Sequence, residues 1–533
     1  MERVPELLKS KIMSADQAAQ LIHTGMTLGV SGFTSTGYPK AVPEALVRSG
    51  HAHDLTICVG AAVGDEIDGA MVRAGLIKKR YAHQSHKDLR NAINAGTVGY
   101  SDVHISHFPM HMNQHTGPKI DVAVVECTAV CEQGLYLAAA GGSADAAVRN
   151  ADKVIVEANE TLPEGLVGMH DIFEIGLPPH ARIIPITKPD DRVGTPYIPC
   201  PPEKIAAIVL TDHADEPQKF KPYSEATRII GENVVKFLRQ EIAAGRLPEN
   251  PGPIQSGVGS VGNAVLSSLA TSGFHGLSMY TEVMQDSALN LIEQGVFDFV
   301  STSSIALGEE NRRRFYENID FFKDKILLRP QEITNHPEVV RRLGVISLNT
   351  PIEVDIYGNV NSTHIMGTKM MNGIGGSGDF ARNARVCIFA TESVAKGGLI
   401  SCIVPMVSHV DQTEHDVQVI ITEQGIADLR WKTPRERAEL IIENCAHPDY
   451  RPMLREYYEH ALDVADGKQT PHDLAQALSW HQRFLATGTR KPGAGVVPER
   501  KKKQNGNRKK GMENLCRTWF FIVKNSRRRE WRP

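Results

Sequence analysis

The sequence predicts an α/β protein with two domains and largely parallel sheets. Its 533 residues are too many for one hydrophobic core, which favours two domains or more. Short β-branched apolar runs recur along the chain without alternating with polar residues, as in strands that are buried on both faces. Helical patterns lie between these runs, an arrangement typical of α/β folds.

Ten segments carry this strand pattern. We predict strands over residues 27–30, 55–59, 122–126, 154–157, 182–186, 205–210, 345–348, 386–390, 400–405 and 417–422. Two helices are well marked. One apolar stripe runs through 226–242, and the segment from Thr433 to Glu436 has the spacing of a capping box with proline in the first turn.

A segment rich in proline and glycine, GRLPENPGPIQS, separates two stretches of α/β pattern. We therefore predict an N-terminal domain over residues 1–244, a linker over 245–256 and a C-terminal domain over 257–488, with similar folds. Residues 489–533 are predicted to be a basic, disordered tail. Residues 490–533 hold 15 Lys or Arg and three Glu, although the whole chain has a net charge of −3. Basic tails can bind nucleic acid or lipid, but we favour a solvated extension and predict no nucleic-acid partner.

Composition argues against several classes of protein. No apolar run reaches the roughly 18 residues of a membrane span, and the N-terminus has no apolar signal region, so we predict a cytoplasmic protein without a membrane partner. The eight cysteines are scattered, which argues against a disulfide framework or a zinc site. Histidines cluster at His104, His107, His111 and His115, but Pro109 is expected to interrupt their helix, and we predict no metal site.

A first glycine loop lies in QSGVGSVGNAV, with Gly257, Gly259 and Gly262 in six residues. Apolar helix spacing follows it, so the loop could present backbone N–H groups to an anion. No strong strand pattern precedes the loop, and the Walker lysine is missing. By itself the segment fits a tight turn equally well.

Glu282 lies in LSMYTEVMQDSALNLIEQG, where apolar residues from Met284 onward fall at helical spacing and Gly295 suits the helix end. We expect Glu282 at the start of this helix, where the helix dipole favours the ionised carboxylate. Taken alone, the pattern is also that of a first-turn glutamate with no catalytic role.

A second glycine loop, MNGIGGSGDFARN, has four glycines in six residues: Gly373, Gly375, Gly376 and Gly378. Such a loop can bring backbone amides close to a ligand, because no side chain stands in the way. It fits an oxyanion hole or a phosphate cradle, and equally a flexible surface loop. The predicted buried strand 386–390 follows it.

These segments together resemble the acetyl-CoA hydrolase/transferase family, a branch of the glutamate-dependent CoA-transferases. The resemblance rests on SGFTSTGYPKAVP, QSGVGSVGNAV, YTEVMQD, LRPQEITNHPE, RRLGVISLNT, DIYGNVNSTH, MNGIGGSGDFARNA and EQGIADLR, in the expected order over residues 10–485. Within the family, the chain is most similar to the enzymes that handle succinate and propionate. Gly262 stands where the family has alanine, and the tail after residue 490 is outside the pattern.

The resemblance implies two NagB/RpiA/CoA-transferase-like α/β domains with the active site between them. It implies Glu282 as the covalent nucleophile, Asn335 as a polar active-site residue, and the backbone amides of Val258 and Gly376 as oxyanion donors. The CoA contacts that it implies are Gly257, Val258, Gly259, Ser260, Val261, Ile352, Asn372, Gly376 and Lys396. Lys396 would pair with CoA phosphates, although it also fits an ordinary surface lysine.

The chemistry that follows is ping-pong transfer of CoA between short-chain acids, succinate with acetate or propionate, through a glutamyl-CoA thioester. CoA is then a substrate, and no permanently bound cofactor is expected. The alternative within the same fold is an acyl-CoA hydrolase, in which water replaces the acceptor acid. A catalytically inactive binding module is disfavoured because Glu282 and both glycine loops are intact. A homodimer is expected from base rates alone.

Overall fold

The computed structural model describes residues 2–219 and 224–492. The predicted tail from residue 493 onward therefore lies outside the described residues. In the N-terminal half, the strands are β1 (Thr27–Val30), β2 (Phe33–Thr34), β3 (Leu55–Cys58), β4 (Ala61–Ala62), β5 (Ile77–Tyr81), β6 (Gly99–Ser101), β7 (Val122–Cys131), β8 (Gly134–Leu137), β9 (Lys153–Asn159), β10 (Ile198–Pro199) and β11 (Ile205–Thr211).

The strands of the C-terminal half are β12 (Ile254–Ser256), β13 (Leu277–Tyr280), β14 (Val283–Met284), β15 (Phe297–Thr302), β16 (Ser304–Ile305), β17 (Ile326–Leu328), β18 (Ile346–Asn349), β19 (Glu353–Asp355), β20 (Val360–Asn361), β21 (His364–Ile365), β22 (Lys369–Met370), β23 (Val386–Ala390), β24 (Val394–Ala395), β25 (Ile400–Ser401), β26 (Ile403–Val404), β27 (Val419–Thr422) and β28 (Gly425–Asp428).

The α-helices are α1 (Ala15–Ala19), α2 (Ala41–Ser49), α3 (Lys87–Asn94), α4 (His107–Asn113), α5 (Ala144–Asn150), α6 (Glu225–Ala243), α7 (Ser260–Ala270), α8 (Asp286–Glu293), α9 (Glu309–Glu317), α10 (Ile319–Phe322), α11 (Gln331–Thr334), α12 (Pro337–Leu343), α13 (Ser377–Asn383), α14 (Pro434–Cys445), α15 (Arg451–Val464) and α16 (Ser479–Thr487). The predicted capping box is present, since the Thr433 and Glu436 side chains each accept a hydrogen bond from the other's backbone N–H.

Two large sheets share one strand order. The first sheet runs β6-β5-β3-β1-β7-β9-β11 in parallel, with the antiparallel strand β8 on the second half of β7 and β10 beyond it. The second runs β17-β15-β13-β12-β18-β23-β27 in parallel and ends in the antiparallel β28. Counting only the parallel strands in chain order, both sheets read 4-3-2-1-5-6-7. The prediction of two α/β domains of similar fold is confirmed.

Both sheets are covered on two faces, which explains the apolar runs without alternation. In β7, Val122 and Val124 belong to one buried cluster, whereas Ala123 and Val125 belong to the cluster on the opposite face. The second sheet divides in the same way, with Ile388 on one face and Cys387 and Phe389 on the other. Burial on both faces accounts for the continuous hydrophobicity of parallel strands.

The structure corrects some element predictions. Residues 182–186 form no strand, although Ile184 and Ile186 are buried. The predicted strand 400–405 is two short strands, β25 and β26. Pro109 does not interrupt α4, because it lies in the first turn, where a missing backbone N–H leaves no intrahelical hydrogen bond unmade.

The segments on either side of the predicted domain boundary pack with the second sheet. Residues 254–256 of the predicted linker form β12, which pairs with both β13 and β18. The helix α6, which precedes the predicted linker, contributes Ile230, Val234 and Phe237 to the same buried cluster as α7. At the other end, Arg490 is buried and bonded to Glu353, so the folded chain continues past residue 489.

No helix within residues 2–219 and 224–492 is long and apolar enough to cross a membrane.

Candidate active site

The candidate site lies where the strands of the second sheet end. Because neighbouring strands β12, β13, β15 and β17 are parallel, the segments that follow them meet at one edge of the sheet. The first glycine loop follows β12, and Glu282 follows β13. The chain order reverses between β12 and β18, so the loop lies at the topological switch point, where ligands of open α/β sheets bind.

The backbone of Glu282 is fixed by hydrogen bonds to its carbonyl oxygen. That oxygen accepts from the N–H groups of Ser303 at 2.9 Å and Ser304 at 3.0 Å, and from the Thr302 hydroxyl at 2.9 Å. The Ser303 carbonyl in turn accepts from the N–H of Gly141, in the N-terminal domain, at 2.8 Å. The position of Glu282 therefore depends on contact between the two domains.

The Glu282 carboxyl group is held in a cramped, largely desolvated space. Its Oε1 accepts a hydrogen bond from Asn335 Nδ2 at 2.7 Å. A Cβ atom added to Gly376 would lie 2.0 Å from the same oxygen and 2.3 Å from Asn335 Nδ2, so any larger residue at this position would displace the Glu282 carboxyl or the Asn335 amide. Burial raises the pKa of Glu282 to about 8, a rise that the Asn335 hydrogen bond opposes and the nearby Asp379 reinforces.

The predicted link between Glu282 and a helix N-terminus is wrong. The helix α8 begins at Asp286, and the short strand β14 lies between it and Glu282. The helix dipole acts only within its first turn, so it does not stabilise the Glu282 carboxylate. The dominant influence on this carboxyl is loss of water, which favours its neutral form.

The first glycine loop is tied to the Glu282 segment by Gln285. The N–H of Gly259 donates to Gln285 Oε1 at 3.3 Å, and Gln285 Nε2 donates to the carbonyl of Gly257 at 3.2 Å. Gly259 has a φ of 129°, a conformation that favours glycine. No strand pattern precedes this loop in the sequence, but the three-residue strand β12 leads directly into it.

The loop leaves donors free for a ligand. Val258 is half exposed, and its N–H donates no hydrogen bond within residues 2–219 and 224–492. The same holds for the N–H of Gly376. The helix α7 begins at Ser260 with no side-chain cap and no acidic residue in its first turn. Unused N–H groups at a helix start suit an anionic group.

Gly262 is tightly packed at the start of α7. A Cβ atom there would lie 2.2 Å from the carbonyl oxygen of Gly257 and 2.8 Å from Ser256 Oγ. The alanine that the family resemblance leads us to expect would therefore require the loop to shift. The glycine allows the loop and helix to approach more closely.

The second glycine loop packs against the N-terminal domain. The N–H of Ile374 donates to Asp102 Oδ2 at 2.6 Å, and the N–H of Gly373 donates to the Gln84 carbonyl at 2.9 Å. A Cβ at Gly378 would lie 2.4 Å from the His104 ring. These contacts place Gly376, and hence Glu282, at the interface between the domains.

The structure brings together only some of the predicted CoA contacts. Ile352 donates its N–H to the Asn361 carbonyl at 2.8 Å, and Asn372 Nδ2 donates to the adjacent Ser362 carbonyl at 3.0 Å, so both residues contact the segment 361–362. Lys396 lies in the exposed β24–β25 hairpin, with Nζ 5.1 Å from the Phe484 ring centroid. Within the described residues, no contact joins Lys396 to Glu282.

Sequence reasoning missed three residues of this site. Asp379 and Ser106 lie behind Asn335, and Gln285 connects the first glycine loop to the Glu282 segment. Asp379 and Gln285 stand inside the motifs GGSGDF and YTEVMQD, so their position beside conspicuous residues was an available signal. Ser106 comes from the other domain, and no local pattern marks it.

The histidine cluster forms ring contacts. His107 packs edge to face against His104 and His111, with centroids 5.4 and 6.2 Å apart. No group of three or more His, Cys, Asp or Glu side chains within residues 2–219 and 224–492 has the arrangement of a metal site.

Family models match both halves of the chain. The acetyl-CoA hydrolase/transferase N-terminal domain matches residues 3–210, and the C-terminal domain of the same family matches residues 312–458. The chain belongs to the acetyl-CoA hydrolase/transferase family. The second glycine loop lies within the C-terminal match, whereas Glu282 and the first glycine loop lie between the two matched ranges.

Curated family members resemble the chain over nearly its whole length. A succinyl-CoA:acetate CoA-transferase of Clostridium kluyveri is 52% identical and covers 91% of each chain. A propanoyl-CoA:succinate CoA transferase of Escherichia coli is 42% identical, covering 90% of this chain and 98% of the relative. An acetyl-CoA hydrolase of Schizosaccharomyces pombe is 40% identical, covering 92% and 99%.

Solved structures share the fold. RipA from Yersinia pestis matches with a TM-score of 0.67 at 22% identity, covering 85% of this chain and 98% of RipA. A 4-hydroxybutyrate CoA-transferase from Porphyromonas gingivalis matches with a TM-score of 0.59 at 23% identity, covering 85% and 99%. This chain therefore shares its α/β fold with RipA and with a known CoA-transferase.

Proposed function

We propose that the protein transfers CoA between short-chain carboxylic acids, with Glu282 as the nucleophile. The observation that carries the proposal is a desolvated Glu282 carboxyl between two glycine loops, bonded to Asn335 at 2.7 Å. Succinate with acetate or propionate is the proposed pair of acids, supported by the names of two relatives.

The reaction needs a group that forms first an anhydride and then a thioester. The Glu282 carboxylate attacks the acyl-CoA carbonyl, and the C–S bond breaks to release CoA thiolate. The thiolate then attacks the glutamyl carbonyl, which frees the donor acid and leaves glutamyl-CoA. An acceptor carboxylate reverses these two steps and takes the CoA.

The surroundings of Glu282 favour these intermediates. The anhydride and the thioester are uncharged at the glutamate, so the loss of water that disfavours the free carboxylate does not penalise them. Each attack places negative charge on a carbonyl oxygen. The unused N–H groups of Val258 and Gly376 are suited to stabilise it, and one such donor is typically worth roughly 3 kcal/mol.

The proposed binding residues follow the same scheme. Residues Gly257 to Val261 and the start of α7 would receive negatively charged or polar groups of CoA, with Ile352 and Asn372 lining the approach. Lys396 would reach CoA phosphates from its exposed hairpin. CoA is here a substrate, and the homodimer and the cytoplasmic location stay predictions.

Intact-mass spectrometry tests the proposal. The purified protein is incubated with succinyl-CoA in the absence of acceptor, and the expected product is a CoA adduct on Glu282 that disappears when acetate is added. Glu282→Gln should form no adduct. Glu459→Gln, at an exposed helical glutamate, is the matched control and should behave as wild type. If no short-chain acyl-CoA gives an adduct, and Glu282→Gln retains turnover, the proposal is wrong.

A hydrolase is the second candidate, because the Schizosaccharomyces pombe relative carries that name. The same assay separates the two. A transferase should release free CoA slowly without acceptor and make acyl-CoA rapidly with it, whereas a hydrolase should release CoA at the same rate with or without acceptor.

A further inference from the structure

A buried aspartate lies directly behind the active-site amide. Asp379 is in the first turn of α13 and is 5% exposed. Its Oδ1 accepts from the Ser106 hydroxyl at 2.6 Å, and its Oδ2 accepts from the Ser106 N–H at 3.0 Å. Oδ2 also lies 3.4 Å from Asn335 Nδ2, the atom that donates to Glu282.

The two carboxylates together determine which way the Asn335 amide faces. Its Nδ2 group serves Glu282 and Asp379, one N–H for each, and its Oδ1 accepts from the Thr334 hydroxyl at 2.8 Å. In the flipped orientation, the amide oxygen would face the Asp379 carboxylate, which offers no proton once it is ionised, and only a protonated Glu282 could donate to it. Asp379 therefore opposes the orientation in which Asn335 could not donate to Glu282.

We propose that Asp379 is a positioning residue, which acts through Asn335 to hold Glu282 for attack on the acyl-CoA. This inference rests on the proposed function. Ser106 lies between β6 and α4 of the N-terminal domain, whereas Asp379 lies in the C-terminal domain. A series of hydrogen bonds thus runs from Ser106 through Asp379 and Asn335 to Glu282. It couples the contact between the domains to the geometry of the nucleophile.

Asp379 also acts on Glu282 through its charge. The charged or titratable side chains that face Asp379 are Glu282 and His107, and His107 is itself flanked by His104 and His111. Burial raises the pKa of Asp379 to about 6, and its hydrogen bonds with Ser106 oppose the rise. When Asp379 is ionised, its charge favours the neutral form of Glu282.

Two consequences separate positioning from a merely structural role. Asp379→Asn removes the charge, so the pH at which Glu282 becomes reactive should move to lower values. The same substitution places an amide where both Ser106 and Asn335 need an acceptor, so acylation should slow at the pH values where Glu282 is ionised in both proteins. Binding of acyl-CoA should change little, because both oxygens of the Asp379 carboxyl are already engaged by Ser106 and Asn335.

The test measures the rate of CoA adduct formation on Glu282 in single turnovers from pH 5.5 to 9, with the KM for succinyl-CoA measured in parallel. For Asp379→Asn we expect the acylation rate to fall by about 10- to 100-fold and the KM to change by less than about threefold. The acidic limb of the pH–rate profile should move to lower pH. Asp145→Asn, at an equally buried aspartate of α5, should keep wild-type acylation. A wild-type rate, or an unmoved acidic limb, would overturn the inference.

Ser106→Ala is the second variant, and it carries the test if Asp379→Asn does not fold. It removes one of the two Ser106 hydrogen bonds, so the acylation rate should fall by about 3- to 10-fold at unchanged KM. A wild-type acylation rate in Ser106→Ala would then overturn the inference. Failure of the proposed function can be distinguished from failure of this inference, because in the first case the wild-type protein would itself form no CoA adduct.

Discussion

Replacing Glu282 with glutamine should stabilise the protein, and by an amount that depends on pH. The Glu282 carboxyl has a pKa of about 8 in the folded chain, against 4.5 as its ordinary value. Between these values the unfolded chain carries an ionised glutamate, while the folded chain keeps the proton. Below pH 4.5, Glu282 therefore does not lower the free energy of unfolding of the wild-type protein. As the pH rises from 4.5 towards 8, this free energy of unfolding decreases.

The size of this effect follows from the two pKa values. Each unit of difference corresponds to about 1.4 kcal/mol, which sets a ceiling of about 5 kcal/mol above pH 8. The Glu282 side chain keeps partial contact with solvent, which screens its charge, so we expect a loss of about 2–3 kcal/mol. Glutamine has no charge to lose and keeps an oxygen for the Asn335 hydrogen bond.

Thermal unfolding midpoints at pH 5, 6, 7, 8 and 9 measure the effect. We use midpoints because two domains need not unfold together. Glu282→Gln should match wild type at pH 5 and exceed it by a few °C at pH 8 and above. Asp379 also titrates in this range, but it is present in both proteins. Glu459→Gln should show no such trend. A stability difference that is constant with pH, or largest at pH 5, would refute the reasoning.

Three further substitutions test the geometry. Asn335→Ala removes the hydrogen bond to Glu282 and should slow acylation by about 10- to 100-fold, measured by adduct formation, with a wild-type rate as the contradicting result. Gly376→Ala places a methyl group 2.0 Å from Glu282 Oε1, so kcat should fall at least 100-fold in a steady-state transferase assay; retention of more than a tenth of the activity would show that the loop is not fixed. Arg490→Met leaves the buried Glu353 carboxylate without its guanidinium partner at 2.6 Å, and this should cost about 3–5 kcal/mol, seen as a lower denaturation midpoint. Removal of residues 493–533 should leave the denaturation midpoint unchanged. If the truncated protein and Arg490→Met lost stability equally, the assignment of the end of the folded chain would be contradicted.

The sequence was informative wherever local pattern and tertiary environment agree. The strands β1 and β23 have the predicted bounds because burial on both faces leaves an unbroken apolar run. The segment 182–186 carries the same pattern, but its isoleucines are buried as irregular chain, so hydrophobicity alone did not distinguish it from a strand. β12 was missed because three residues next to Pro253 are too few to show a period.

Part of the candidate site was predicted, because some of its residues lie in distinctive local sequence. Glu282 and the glycine loops stand in distinctive segments that resemble the family. The raised pKa of Glu282 was not predicted, since it arises from burial between two domains and from Asp379, which no local spacing reveals. The helix dipole suggested the opposite direction, because sequence spacing placed the start of α8 too early.

The shared strand order has a consequence for the helix that follows the first strand of each sheet. In the N-terminal domain, the start of α2 is already occupied: Glu157 accepts from the N–H groups of Lys40 at 2.8 Å, Ala41 at 3.1 Å and Val42 at 2.7 Å. The corresponding start of α7 has no side-chain cap and no acidic residue in its first turn. The same arrangement of strand, loop and helix start thus occurs twice, and in the N-terminal domain a carboxylate of the protein itself occupies it. An acidic residue introduced at Ser260 should occupy the start of α7 in the same way, and it should weaken the CoA binding proposed for that loop.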